Sequence, residues 1–213
     1  MRHISKLVEP NVLSTNKVNW LTEFKADKKS ATNKYQYRHA DIKSHLKTET
    51  GFKCIYCESK IGHNTPGDVE HIIPSSKNED LHFDWDNLTI ACTECNRRKN
   101  DYYVQGEEFL NPYSDNDLED LIEHFGPIVN WRNGHARAEI TIKILELNKP
   151  TRVQLILRKI EKIEDTNTLI ERFIAEQNPT LKQIHRLQLE QMTLVDAEFS
   201  GMVKSLITQK GVL

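Results

Sequence analysis

The chain has 213 residues, 38% of them apolar and 28% charged, with eight Gly and seven Pro. That excludes a disordered tail, a collagen and a repeat array, and leaves enough chain to bury a core without help from metals or disulfides. The net charge of −2 excludes nucleic-acid binding by bulk charge alone, and no apolar run approaches the roughly 18 residues that a membrane span needs. No signal-like apolar stretch follows Met1-Arg2-His3, so a cytoplasmic protein with no membrane partner is expected.

In chain order, Asn33 to Thr50 reads as a modest amphipathic helix on Tyr35, Ile42 and Leu46, closed by Gly51 as its C-terminal cap. Residues 52–62 are short, Cys-bearing and turn-like, and Asn64-Thr65-Pro66-Gly67 is turn chemistry. Val69, Ile72 and Ile73 predict a brief strand ended by Pro74, and Leu88-Thr89-Ile90-Ala91 a second one. Cys95 to about Val104 reads as a short helix carrying Arg97, Arg98 and Lys99. Beyond Asn111-Pro112 lies a connecting region, and Ala138 to Leu147 is ambiguous between strand and helix. Val153, Ile156, Leu157, Ile160 and Ile163 follow helical spacing. Asn178-Pro179 should cap and start a later helix through Leu181, Ile184, Met192, Val195 and Phe199. The expected organisation is an N-terminal arm and helix (1–50), a core (51–110), a connecting region (111–150) and a helical C-terminal region (151–213).

Charge is unevenly spread. Residues 1–60 carry 12 basic and 6 acidic side chains, residues 61–130 carry 4 and 15, and residues 131–213 carry 13 and 10. Much of the acidic middle, such as Asp115 to Asp120, suits a solvated loop. An acidic centre with basic flanks also suits a cation site with a polyanion laid across it.

All four cysteines fall in two C-x-x-C pairs, Cys54/Cys57 and Cys92/Cys95, separated by 34 residues. Two such knuckles can turn four thiolates toward one point about 2.3 Å from a metal, the closed tetrahedral arrangement of structural zinc. Two disulfides or a redox pair compete; a cytosolic setting disfavours the first and duplication the second. Between and just after the knuckles stand Asp68-Val69-Glu70-His71, Trp85-Asp86-Asn87-Leu88 and Cys95-Asn96-Arg97-Arg98-Lys99. Singly, His71 could be a packed strand residue, Asn87 a turn residue and Asn96 a helix cap.

Jointly, His71, Asn87 and Asn96 inside a four-cysteine frame resemble the HNH endonucleases in the His-Asn-Asn form. Tyr37-Arg38, Cys54-Ile-Tyr-Cys57-Glu58, Val69-Glu70-His71, Trp85-Asp86-Asn87-Leu88, Ala91-Cys92 and Cys95-Asn96 with Lys99 look more closely like the retron-associated HNH proteins. Those include the PtuB type of the Septu anti-phage systems. Leu110-Asn111-Pro112, Ala138 to Ile142 and Leu145 to Asn148 extend the resemblance over most of residues 35–160. It implies an α+β, mainly α, fold with a small ββα-metal (His-Me finger) core and a Cys₄ zinc site, flanked by N- and C-terminal helices.

It implies roles as well. His71 is the expected general base and Asn87 the positioner of its loop. Glu70 and Asn96 are the expected oxygen ligands of a catalytic Mg²⁺ or Mn²⁺, with Asp68 and Asn100 as further candidates. Successive strand residues point to opposite faces, so Glu70 and His71 can serve one site only if the chain bends there. Arg97, Arg98 and Lys99 are expected at phosphates, with Lys99 alternatively supporting the ligands. His63 and His82 are read as surface turn residues. The substrate class is nucleic acid, DNA first and an RNA such as tRNA second. A PtuA-like ATPase docking on residues 151–213, and a retron reverse transcriptase with its msDNA, are the implied partners. The competing reading is a zinc-stabilised module that binds nucleic acid or protein without cutting, and a third is a redox sensor.

Overall fold

The structure is a computed structural model describing residues 1–62 and 66–212. The expected His63 turn residue and part of the Asn64–Gly67 turn lie outside the described residues. Among the described residues, six α-helices, two of them a single turn, and two antiparallel strand pairs precede the long C-terminal helices.

Helix α1 (Asn11–Ala26) is an element the sequence reading missed, because only Leu13 and Phe24 on it are buried and its apolar spacing is weak. The helix expected over 33–50 is broken into α2 (Ala31–Lys34), a 3₁₀ turn at Gln36–Arg38, and α3 (Ala40–Glu49). The break falls at His39, which is extended (φ −50°, ψ 142°) and whose Nδ1 accepts from the Asp41 amide 3.2 Å away, so it acts as an N-cap. Gly51 ends α3 at φ +61°; an added Cβ there would lie 2.5 Å from Asp196 Cβ.

Strand β1 (Asp68–His71) pairs antiparallel with β2 (Leu88–Ala91), Glu70 opposite Thr89 and His71 opposite Leu88. Helix α4 follows as Thr93–Lys99, shorter than the expected span to Val104. Its end is set by Asn100, which adopts φ +48°.

The connecting region is more structured than its composition suggests. It holds α5 (Leu118–Leu121), the hairpin β3 (Ile122–Phe125) and β4 (Ile128–Trp131), and α6 (Ala136–Ile144), which decides the ambiguous 138–147 segment as helix up to Ile144 and turn beyond it. Gly126 at φ +58° turns the hairpin. The acidic run is partly paired: Asp115 accepts from Arg137, and Glu119 meets Arg2 and Lys204.

Helix α7 is Val153–Ala175. Helix α8 (Pro179–Met192) starts as expected, with Asn178 Oδ1 accepting from Thr180 and Leu181 amides. It stops at Met192 instead of reaching Phe199, which takes φ +53° and precedes α9 (Ser200–Gln209). Helix α9 inserts Met202, Val203 and Ile207 into the same apolar cluster that holds Leu46, Ile90 and all four cysteines. The turn before α9 is bonded to the first knuckle, through Lys60 amide to Glu198 and Lys53 Nζ to Val195 O. No helix among the described residues is long and apolar enough to cross a membrane.

His124 on β3 is buried, its Nδ1 has no partner among the described residues, and burial first, then the nearby N-terminal ammonium, push its pKa down to about 3. An unfolded histidine titrates near about 6.5. The folded state therefore refuses a proton that the unfolded state takes, so this contribution to stability is complete above pH ~6.5 and is lost as pH falls toward ~3. The His124→Leu variant should lose less stability between pH 7 and 5 in urea titrations, by up to ~1.4 kcal/mol per pH unit below ~6.5. An unchanged slope would contradict the assignment.

Candidate active site and metal centre

In the first knuckle the Cys54 amide bonds Ser59 O and the Glu58 amide bonds Cys54 O, with Glu58 at φ +60°. This tight turn aims Cys54 and Cys57 at one point. In the second, Cys92 caps α4, its sulfur accepting from the Cys95 amide. The four buried sulfurs lie within 4.8 Å of one another, with Cys57 and Cys92 Sγ 3.8 Å apart. Bonds of about 2.3 Å to a tetrahedral ion separate thiolates by roughly 3.8 Å, so the donor set fits zinc.

Arg152, just ahead of α7, places Nη2 3.4 Å from Cys95 Sγ and gives Nη1 to Leu145 O. Burial opposes its charge, but the thiolates of Cys95 and Cys57 outweigh that and raise its pKa. Lys159, about two turns further along on the same side of α7, is also buried; burial pushes it down to about 8 against the pull of Cys57 and Glu58. Both cations offset the negative charge that four thiolates leave around a divalent ion. Arg152→Met should therefore weaken zinc binding by roughly 10- to 100-fold in chelator competition, as loss of an outer partner of a metal ligand does. Unaltered affinity would reduce Arg152 to a packing residue.

On the other side of α4 lies a cleft of about 350 Å³, lined among others by Glu70, His71, Asn96 and Lys99. His71 ends β1. The next residues leave the strand: the Ile72 amide bonds Asn87 O, and the Ile73 amide bonds Asn87 Oδ1. Asn87 Nδ2 also donates to Ile73 O and Leu81 O. One buried side chain thus clamps both ends of the loop that follows His71, and this bend lets Glu70 and His71 border one cleft despite the pleat.

His71 Nε2 lies 2.9 Å from His82 O. A carbonyl only accepts, so Nε2 carries the proton and Nδ1 is the basic nitrogen, with no hydrogen-bond partner among the described residues. Burial pushes the ring down to about 3, so it is neutral at ordinary pH. Its ring stacks on His82 (4.8 Å) and meets Tyr37 edge-on (4.6 Å).

His82 is not the surface residue expected of it. It is 2% exposed, stacked on Phe24 of α1 at 4.1 Å, with Nε2 donating to Lys34 O and Nδ1 paired with Ser75 Oγ. The loop position suggested exposure; the unforeseen α1 covers it.

Glu70 is buried against Lys99, which also donates to His71 O at 2.7 Å. Burial pushes Glu70 up to about 7, with the Lys99 charge pulling the other way. Asp68 does not border the cleft and instead accepts from Thr93. Glu70 and Asn96 are oxygen donors of the kind a hard divalent ion takes, and Asn100 stands at the same cleft.

Lys99 is buried rather than presented to solvent. Arg98 is held between Glu94 and Glu146, while Arg97 is exposed beside Glu94; neither borders the cleft. The exposed cations that do are Lys34 and Arg38, missed by sequence reasoning although Tyr37-Arg38 belongs to the resemblance.

Residues 54–102, which contain both knuckles and this cleft's central residues, match the family model described as HNH endonuclease. This segment is an HNH domain. The chain is also similar to two curated proteins, each named Septu protein PtuB. The one from Bacillus thuringiensis is 28% identical over 145 residues, 65% of this chain and 55% of that protein. The one from Bacillus mycoides (strain KBAB4) is 26% identical over 171 residues, 62% of this chain and 58% of that protein. The chain thus spans just over half the length of these relatives. Their matched lengths exceed the HNH domain, so the likeness includes flanking helices.

Proposed function

We propose that this protein is a metal-dependent nuclease that hydrolyses nucleic-acid phosphodiesters in an anti-phage defence system of the Septu or retron type. The observation that carries the reading is the oriented His71: one nitrogen committed to a carbonyl, the other without a hydrogen-bond partner among the described residues, at a cleft that also holds Glu70 and Asn96. His71 Nδ1 takes the proton of the attacking water, Asn87 holds the loop that orients the ring, and Lys99 keeps Glu70 in place. A Mg²⁺ or Mn²⁺ ion held by Glu70 and Asn96 supplies charge for the phosphate and the leaving oxygen when bound. Lys34 and Arg38 at the rim, with Arg97 further out, take flanking phosphates and leave sequence unread.

The structural zinc at Cys54, Cys57, Cys92 and Cys95 holds β2 and α4 against the first knuckle and so keeps Asn96 in register. The net charge of −2 makes the chain alone a weak binder of polyanions, so a partner supplies affinity and control. That partner is a PtuA-like ATPase, in retron systems with the reverse transcriptase and its msDNA. Exposed Leu181, Ile184 and Leu187 on α8 support its docking on the C-terminal helices.

The test is cleavage of mixed DNA and RNA by the complex in Mg²⁺ or Mn²⁺, with the new ends sequenced. Identical products from wild type and His71→Ala would overturn the proposal.

A further inference from the structure

Lys99 separates the catalytic cleft from a second cavity of about 280 Å³, which its side chain also lines together with Ile72 and Ile73, the residues directly after His71. Five of the lining residues are aromatic, Tyr56, Tyr102, Tyr103, Phe109 and Tyr113, while Glu108 and Asp115 in the same lining are paired with Arg137. Phe109 stacks on Tyr102 (5.1 Å) and meets Tyr56 edge-on (6.1 Å). Catalysis as proposed uses none of them.

Three polar groups of the lining residues, Tyr56 Oη, Asn111 Nδ2 and Ser114 Oγ, bond no other described residue and are open to a ligand. Tyr56 is only 4% exposed, yet its hydroxyl is not enclosed, so it stays available to whatever occupies the cavity. The loop carrying Phe109 to Asp115 is built to hold shape, since Arg137 donates to Glu108 O, Phe109 O and Asp115. The volume lies at the lower end of small-molecule sites, which run from about 300 Å³ upward. Flat apolar walls with a few donors at the edge suit a heteroaromatic ring.

We infer that this cavity receives one unpaired nucleobase of the strand whose phosphate lies in the neighbouring cleft. Stacking against the Tyr56–Phe109–Tyr102 cluster then positions the scissile bond, and Tyr56, Asn111 and Ser114 meet the base edge. A paired base cannot enter, so the pocket selects single-stranded or unstacked sites. The inference rests on the nuclease reading for its choice of ligand.

It is tested on the full chain carrying His71→Ala, which needs no turnover. Short single strands bearing 5-iodouracil at each position in turn are photo-crosslinked and the attached peptides mapped. Affinity is compared with strands carrying one abasic position. Crosslinks at Tyr56, or at the aromatic residues between 102 and 113, are expected, with a roughly 5- to 150-fold affinity loss at one abasic position, as for removal of a stacked base. Ser114→Trp, at an exposed rim position, should abolish both effects without disturbing the core. Crosslinks confined to Tyr35 and Tyr37, or equal affinity for intact and abasic strands, would overturn the pocket. Wild-type cleavage alongside such a result would leave the nuclease reading standing, whereas base capture without any cleavage would reverse that outcome.

Discussion

Substituting His71 by Ala should lower the rate of strand cleavage by about 10²- to 10⁴-fold, the usual contribution of a positioned general base. The expected size follows from how little else can take the proton. Glu70 is engaged by Lys99, Asp101 at the cleft edge accepts from Asn100 Nδ2, His82 spends both ring nitrogens on Lys34 O and Ser75, and Asn96 and Asn87 are not bases. The pH profile should also be distinctive. With its pKa depressed to about 3, His71 is deprotonated at every pH above that value. Its own protonation therefore costs no activity between pH 8 and 5, where an ordinary histidine would begin to fail near about 6.5. A weakly basic imidazole also has little driving force to deprotonate bulk water, so strong dependence on a divalent ion that acidifies the water is expected. Single-turnover cleavage of an end-labelled strand across pH, for both forms, is the measurement. A drop smaller than about tenfold, or an acid limb near 6.5 that vanishes in His71→Ala, would contradict these roles.

Chelation of zinc, or Cys57→Ser, should unfold the region that builds the active site and not merely slow the chemistry. The four cysteines are buried inside the main apolar cluster beside Leu88, Ile90 and Ala91. Structural zinc contributes an apparent ~10–16 kcal/mol in small zinc modules, against a total stability of roughly 5–15 kcal/mol for ordinary domains. Removing it also leaves Arg152 and Lys159 buried without the thiolates they face. The expected result is a large fall in Tm with one zinc lost per chain, reversed by zinc in the chelated wild type and not in Cys57→Ser. A melting curve indifferent to chelator, with no zinc in the purified protein, would refute the metal centre. A binding module without catalysis would show the same zinc dependence but retain its effect in His71→Ala, so the two experiments together separate the readings.

The readable and unreadable parts differ in kind. C-x-x-C pairs, the capping Asn178-Pro179 and the strand Leu88–Ala91 are local: their geometry is set by neighbours a few residues away. His82 shows the opposite case. Its own segment is a polar loop, and it is buried only because α1, some 60 positions earlier, lays Phe24 on its ring. Lys34 and Arg38 border the cleft for a similar reason. The break at His39 turns the chain so that the 3₁₀ segment faces His71, a bend that average hydropathy over 33–50 conceals.

What sequence alone determined about this protein is therefore the donor chemistry: four thiolates in two knuckles, a histidine beside a carboxylate, two asparagines, and an acidic middle between basic flanks. Only the tertiary structure decided where those groups sit and what they touch. It chose Glu70 over Asp68 for the cleft, buried Lys99 as the wall between the cleft and an aromatic cavity, and withdrew Arg98 into ion pairs. It also brought Arg152, 57 positions after Cys95, to the cysteine sulfurs. Residue types and short spacings specify which bonds can form. Burial and long-range packing set protonation, orientation and access, and these depend on partners that no local window of sequence contains.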